Sequence, residues 1–140
     1  MDTEGWFLPE TEAEIHERYE RLGEPARTVV HEIARAMSFD GDEYAERVTS
    51  DVVMTARDAL FASLLVVNVG TADEFDDWVA NEPAYESIVI GSDVADNAVW
   101  HAAPFAETVV AATYHHEREA AIGTLRRQVF GRLYREVIHG

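Results

Sequence analysis

Apolar residues recur three and four apart through the first 60 positions of this chain, gather into short runs between residues 62 and 114, and return to helical spacing after residue 117. Those three regimes predict helices, then strands around one further helix, then a final helix. Thr11-Glu-Ala-Glu14 has the spacing of a capping box and predicts a helix from Thr11 to about Gly23. Pro25 suits the first turn of a second helix, with Val29, Val30, Ile33 and Met37 as its apolar face, ending before the Asp40-Gly41 turn. A short third helix covers Asp42 to Val48. Thr49 or Ser50 caps a fourth, in which Val52, Ala56, Ala59, Leu60 and Ser63 share one side.

From Ala62 to Val69 the run is apolar on both faces, as in a central strand covered on each side, and Gly70 ends it. Thr71 and Glu74 form another capping box, followed by Phe75, Trp78 and Val79 on one helical stripe. Tyr85–Ile90, Ala98–Ala103 and Thr108–Tyr114 read as three strands, and their short connections favour antiparallel neighbours. Glu117 to Ile138 reads as one long helix, acidic at its start and basic toward its end, in keeping with the helix dipole. The expected fold is therefore α+β: N-terminal helices, a mixed, mostly antiparallel sheet of about four strands in the order β-α-β-β-β, and a long C-terminal helix packed on it. At 140 residues with no repeat or linker, residues 1–140 are expected to form one domain.

Charge changes this picture more than any motif does. The chain carries 27 acidic residues against 11 basic ones, and every basic residue is Arg, giving a net charge of -16. Such a surface opposes compaction in dilute buffer, whereas at about 1 M salt the screening length falls to roughly 3 Å and distant carboxylates cease to repel. Arg is more weakly hydrated than Lys and pairs with carboxylates in a planar, bidentate way. The composition therefore points to concentrated salt. Without cysteine, disulfides, thiolate catalysis and Cys-ligated metals are excluded. Asp2 and Glu4 stand where a secretory signal would be basic, and the longest uncharged stretch, residues 59–72, is too short for a membrane span, so a cytoplasmic protein with no membrane partner is expected. An acidic chain lacks the positive footprint that nucleic acid requires.

No phosphate-binding glycine loop, dinucleotide fingerprint, zinc-protease helix or nucleophile elbow is present, and no cofactor is implied. Gly91-Ser92-Asp93 reads as a turn rather than a site for a nucleophile. Three polar residues sit where polarity is costly. His101 lies inside a predicted strand beside Val99 and Ala103, Asn68 lies near the end of the central run, and Arg126 sits in the middle of the last helix's apolar stripe. Arg126 must snorkel, pair with a buried carboxylate, or face an anion or a partner. His115 and His116 with Glu119 are candidates for a metal site, although adjacent strand residues point to opposite faces. Glu12, His16 and Glu20 line one helix face and read as a solvated acidic surface. Residues 117–140 hold five Arg and three Glu, the only basic segment.

Gly5-Trp-Phe-Leu-Pro-Glu-Thr11, Ala56-Arg-Asp-Ala-Leu-Phe-Ala-Ser-Leu-Leu-Val-Val67, Trp100-His-Ala-Ala-Pro104 and Leu125-Arg-Arg-Gln-Val-Phe-Gly-Arg-Leu-Tyr134 together resemble a family of short haloarchaeal proteins of unknown function. The resemblance spans nearly the whole chain. It implies a haloarchaeal cytoplasm and assigns no activity, ligand or catalytic residue. The expectation is a non-enzymatic interaction or assembly protein, a homo-oligomer or the partner of an acidic protein. Its expected contact surfaces are Trp6, Phe7 and Leu8 together with Arg127, Arg132 and Arg135 of the last helix. Two alternatives stand beside it: a small-molecule pocket around His101, Arg126 and Asn68, and a metal site at His115 or His116. If the composition is an adaptation to salt, the urea midpoint of the protein rises steadily from dilute buffer to molar potassium chloride; equal midpoints would remove that inference.

Overall fold

In the computed structural model, which describes residues 1–140, each helix start predicted from a capping residue is built on that residue. α1 (Glu12–Arg21) begins where the Thr11 hydroxyl accepts from the Glu14 amide; α3 (Gly41–Arg47), for which no cap was expected, begins one residue early, where the Asp40 carboxylate accepts from the Glu43 amide. α2 (Gly23–Ala36) follows α1 after one residue, so no extended linker separates them. Thr49 caps α4 (Ser50–Leu64) through the Val52 amide. Thr71 and Glu74 cap α5 (Ala72–Asn81) reciprocally, each side chain taking the other's backbone N–H. The last helical segment runs as α6 (Arg118–Val129), a wider π-helical turn over Phe130–Tyr134, and α7 (Arg135–His139).

The fold is α+β, with five strands in one mixed sheet: β1 (Asp2–Glu4), β2 (Val67–Thr71), β3 (Glu86–Ile90), β4 (Asn97–Ala103) and β5 (Thr108–Tyr114). Their spatial order is β1-β2-β4-β5-β3, and every pairing is antiparallel except β3 with β5. One face of the sheet carries α1, α4 and the C-terminal helices; the other carries only α5. Residues alternate accordingly along β4, where Val99 packs in the larger core and Trp100 in the smaller one with Phe75, Val109 and Ala111.

Three expectations are corrected by this topology. Residues 62–69 do not form one strand: α4 continues to Leu64, Leu65 and Val66 turn the chain, and β2 starts at Val67. A run apolar on both sides suits a buried helix end as well as a strand, and periodicity does not separate them. That run is also not the centre of the sheet, because β4 and β5 occupy it, with Val109, Val110 and Ala111 fully buried. Finally, β3 and β4 are consecutive but not neighbours, since β5 inserts between them. The six residues joining them bend over the end of β5 at Gly91, whose φ of +103° suits only glycine. The Thr113 hydroxyl donates to the carbonyls of Ile90 and Ser92 and holds that crossing in place. The short β1, formed by a polar segment without a strand pattern, raises the strand number from about four to five.

Phe61 is the hinge of the larger core. It is fully buried, and the rings of Phe7, Tyr19, Phe130 and Tyr134 surround it with centroids 5.4–6.1 Å away. These rings come from the N-terminal segment, α1 and the C-terminal helix, so one side chain joins the three segments that cover the sheet. Phe61→Ala is expected to lower the unfolding free energy by roughly 3–5 kcal/mol in a denaturant titration. A loss below about 1 kcal/mol would contradict this packing.

Candidate functional site

The abrupt link from α4 to β2 determines where the unusual polar residues go. A helix leaves its last carbonyls without partners, and here the chain enters a strand after only two residues, inside the core. The Leu64 carbonyl accepts from the amides of Trp6 and Phe7 at 2.8 and 2.9 Å. The Leu65 carbonyl accepts from Nε and Nη2 of Arg126 at 3.2 and 3.0 Å. The Val66 carbonyl accepts from His101 Nδ1 at 2.6 Å. Three consecutive carbonyls are thus satisfied by three distant parts of the chain. Gly5 is required beside them: its φ is +103°, and a Cβ there would lie 2.5 Å from the Leu65 oxygen.

His101 is 1% exposed, and its two nitrogens have defined roles. A carbonyl only accepts, so Nδ1 carries the proton and Nε2 accepts from the Tyr134 hydroxyl at 2.7 Å. Burial depresses the imidazole pKa to about 4; the bond to Val66 opposes this, and the nearby Arg126 cation adds to it. Burial alone raises the Tyr134 phenol. The π-helical turn brings Tyr134 to this position, fully buried under β4. Arg126 has no carboxylate within 4 Å, so of the alternatives open to it pairing with a buried carboxylate is absent, and a backbone carbonyl takes that place. Asn68 faces away from both, on the α5 side of the sheet opposite Trp100, and accepts from the Thr3 hydroxyl at 3.4 Å. His101 and Arg126 converge on adjacent carbonyls, Asn68 does not join them, and none of the three lines the cavities of about 460 and 600 Å3 beside α2 and α4.

A second polar cluster lies among α1, α2, α4 and α7. Tyr19 donates to Asp58 at 2.6 Å, and His139 Nε2 lies 3.0 Å from the same carboxylate oxygen. Burial, then the hydrogen bond and charge of Asp58, push the Tyr19 phenol well above its ordinary range. Arg57 stacks its guanidinium 4.3 Å above the Tyr19 ring and donates Nε to the Tyr19 carbonyl at 2.7 Å. Beside them is a cavity of about 460 Å3, walled by Tyr19, Arg27, Ser50, Met54, Arg57 and His139. Sequence reasoning passed over this cluster because Tyr19, Asp58 and His139 are 39 and 81 positions apart and form no local motif. The only local signal was Arg57-Asp58, a charged pair in an otherwise uncharged helix stretch.

The remaining candidates separate. Phe7 is buried in the core, while Trp6 is 86% exposed and Leu8 is exposed beside it. Arg127, Arg132 and Arg135 are exposed; Arg132 donates to Gln128, and Arg135 lies over the Phe130 ring. His115 and His116 follow the end of β5 and are not strand residues; their rings sit 6.4 Å apart, exposed, so opposite-face geometry does not apply. No three His, Asp or Glu side chains converge, Glu119 included. No helix is long and apolar enough to cross a membrane.

This architecture is a two-sided α+β sheet with a large helical layer on one face and a single helix on the other. The chain belongs to DUF5809, a family of unknown function whose model matches residues 6–135. No curated protein and no solved structure matches it.

Folding leaves His101 a poorer base than it is in the unfolded chain, so protons favour unfolding below its ordinary pKa of 6.5. Its contribution to stability is complete above pH 6.5 and is lost as the pH falls toward 4, in total about 3 kcal/mol. His101→Gln keeps a donor for Val66 and an acceptor for Tyr134 without this titration. Urea titrations from pH 7 to 4 should show the wild type losing about 3 kcal/mol more than the variant; parallel pH profiles would refute the assignment.

Proposed function

We propose that this chain is a non-enzymatic assembly module that pairs with a second copy of itself through the outer flank of α2 and α4. The observation that carries the reading is an exposed, charge-free strip in a chain of 38 charged residues. α2 and α4 run antiparallel, with Gly23 against Arg57 and the 460 Å3 cavity between Arg27 on one side and Ser50 and Val53 on the other. On the flank turned away from that cavity, α2 presents Val29, Ile33 and Met37, spaced by four; Ile33 and Met37 are 55% and 58% exposed. The same flank of α4 presents Val52, then the small residues Ala56, Ala59 and Ser63. Successive turns of both helices pass without an acidic or basic side chain there.

A second copy fits this strip better than a different partner because the strip is complementary to itself. Large side chains occupy its α2 half and small ones its α4 half, so a two-fold axis sets each ridge against the other copy's shallow half. At a net charge of -16, two copies repel least where neither carries charge. Concentrated salt of the kind the lysine-free, acidic composition favours screens the remaining repulsion and strengthens apolar contact. A haloarchaeal cytoplasm supplies that setting. The exposed Trp6 and the arginines of α6 and α7 lie outside the strip and are not needed for it.

Sedimentation velocity at micromolar concentration in molar potassium chloride is expected to show a dimer. Ile33→Glu or Ala59→Glu should convert it to a monomer with an unchanged far-ultraviolet spectrum, while Trp6→Ser leaves it dimeric. A monomer at every concentration, or a dimer indifferent to both charged substitutions, would overturn the reading.

A further inference from the structure

The geometry points to a second site, on the opposite side of α2 and α4 from the proposed contact strip: the cavity beside Tyr19 is a receptor for a small molecule bearing a phosphate group. Three independent features converge on it. The first is two guanidinium groups in a chain whose basic residues are outnumbered more than two to one. Arg57 is half-buried and has no carboxylate within 4 Å; only its Nε is used, by the Tyr19 carbonyl, and both terminal nitrogens lack a protein acceptor. Arg27, on the facing helix, reaches only Glu24, at 3.7 Å and largely in solvent. A guanidinium in so acidic a protein that is not claimed by a carboxylate is available to an external anion, and its forked donors match phosphate oxygens two at a time.

The second feature is that the acidic group nearby is already engaged within the protein. Asp58 would repel an anion, but its oxygens already accept from Tyr19 and contact His139. The third is the first turn of α4, a 15-residue helix whose Ser50 faces the cavity with a hydroxyl that makes no hydrogen bond within the protein, at the positive end of the helix dipole. Met54 adds an apolar wall, and a neighbouring cavity of about 600 Å3 shares Arg27 and Ser50, so there is room for an organic portion as well as the phosphate. Each of the two cavities is of the size that holds a small ligand, roughly 300–1,000 Å3. Arg57 and Arg27 are the anchoring residues, and Tyr19 and Asp58 position Arg57 through the stacked ring.

Isothermal titration with pyrophosphate, at fixed ionic strength in potassium chloride, tests this directly. Saturable one-to-one binding is expected, weakened at least about tenfold by Arg27→Gln and by Arg57→Gln, and unchanged by Arg127→Gln on the distant surface of α6. Arg27 is exposed, so its variant folds and decides the matter even if Arg57→Gln loosens α1. The absence of saturable binding, or equal weakening by Arg127→Gln, would overturn the site. Because the contact strip lies on the other flank, Ile33→Glu should leave pyrophosphate binding intact, which keeps this result separate from the test of assembly.

Discussion

Three carbonyls at a helix end hold this structure together. α4 delivers the chain into the core at Leu64, and β2 begins at Val67. A buried peptide oxygen without a donor costs about 1–3 kcal/mol, so the junction exists only because partners arrive from elsewhere. The N-terminal segment, the last helix and β4 each supply one: the Trp6 and Phe7 amides, Arg126 and His101. The two polar residues that are most out of place by hydrophobic pattern are thereby explained as backbone donors. The bonds to Leu65 and Val66 bring together segments separated by 61 and 35 residues, which ties β4 to the helix end on one side and seats the C-terminal helix on the other.

The arginines form a second theme. Four of the eleven stack on aromatic rings, over Phe7, Phe39, Tyr19 and Phe130, and two, Arg57 and Arg126, bind backbone carbonyls. Ion pairs are few, and most lie in solvent; the shortest tertiary pair joins Arg118 to Glu4 at 2.6 Å and ties β1 to α6. In a protein with such an excess of carboxylates, the guanidinium groups serve as often as flat, weakly hydrated packing units as they do as ion-pair partners. That usage survives screening better than point-charge pairing does. It also leaves Arg57 at the Tyr19 cavity without a carboxylate and Arg27 with only a long, solvent-exposed contact to Glu24, which is what makes that cavity chemically distinct.

The two flanks of the α2–α4 pair divide the molecule's surface chemistry. One holds arginine, tyrosine, serine and histidine around a cavity; the other is apolar and uncharged. The apolar flank lies outside the core, whose aromatic centre is Phe61, while the cavity flank meets that centre only through Tyr19. α2 contributes only Ala26, Val30 and Ala34 to buried structure, so its remaining apolar side chains have no internal role.

Local chemistry was legible from the residues alone. Hydroxyl caps at Thr11, Thr49 and Thr71 set three helix starts, because each requires only an oxygen two or three residues from an amide, whereas Asp40, read as part of a turn, proved to be the cap of α3. The runs over β3, β4 and β5, and the anomaly of His101 and Arg126, were equally visible, since burying polarity is costly in any fold. What those residues bind was not: a partner carbonyl 35 or 61 positions away leaves no trace in sequence spacing. The parallel pairing of β3 with β5, the break inside residues 62–69 and the cluster of Tyr19, Arg57, Asp58 and His139 were likewise decided only in three dimensions. Each depends on loop closure between remote segments, where competing pairings satisfy the same local pattern and the packing of the whole core selects among them.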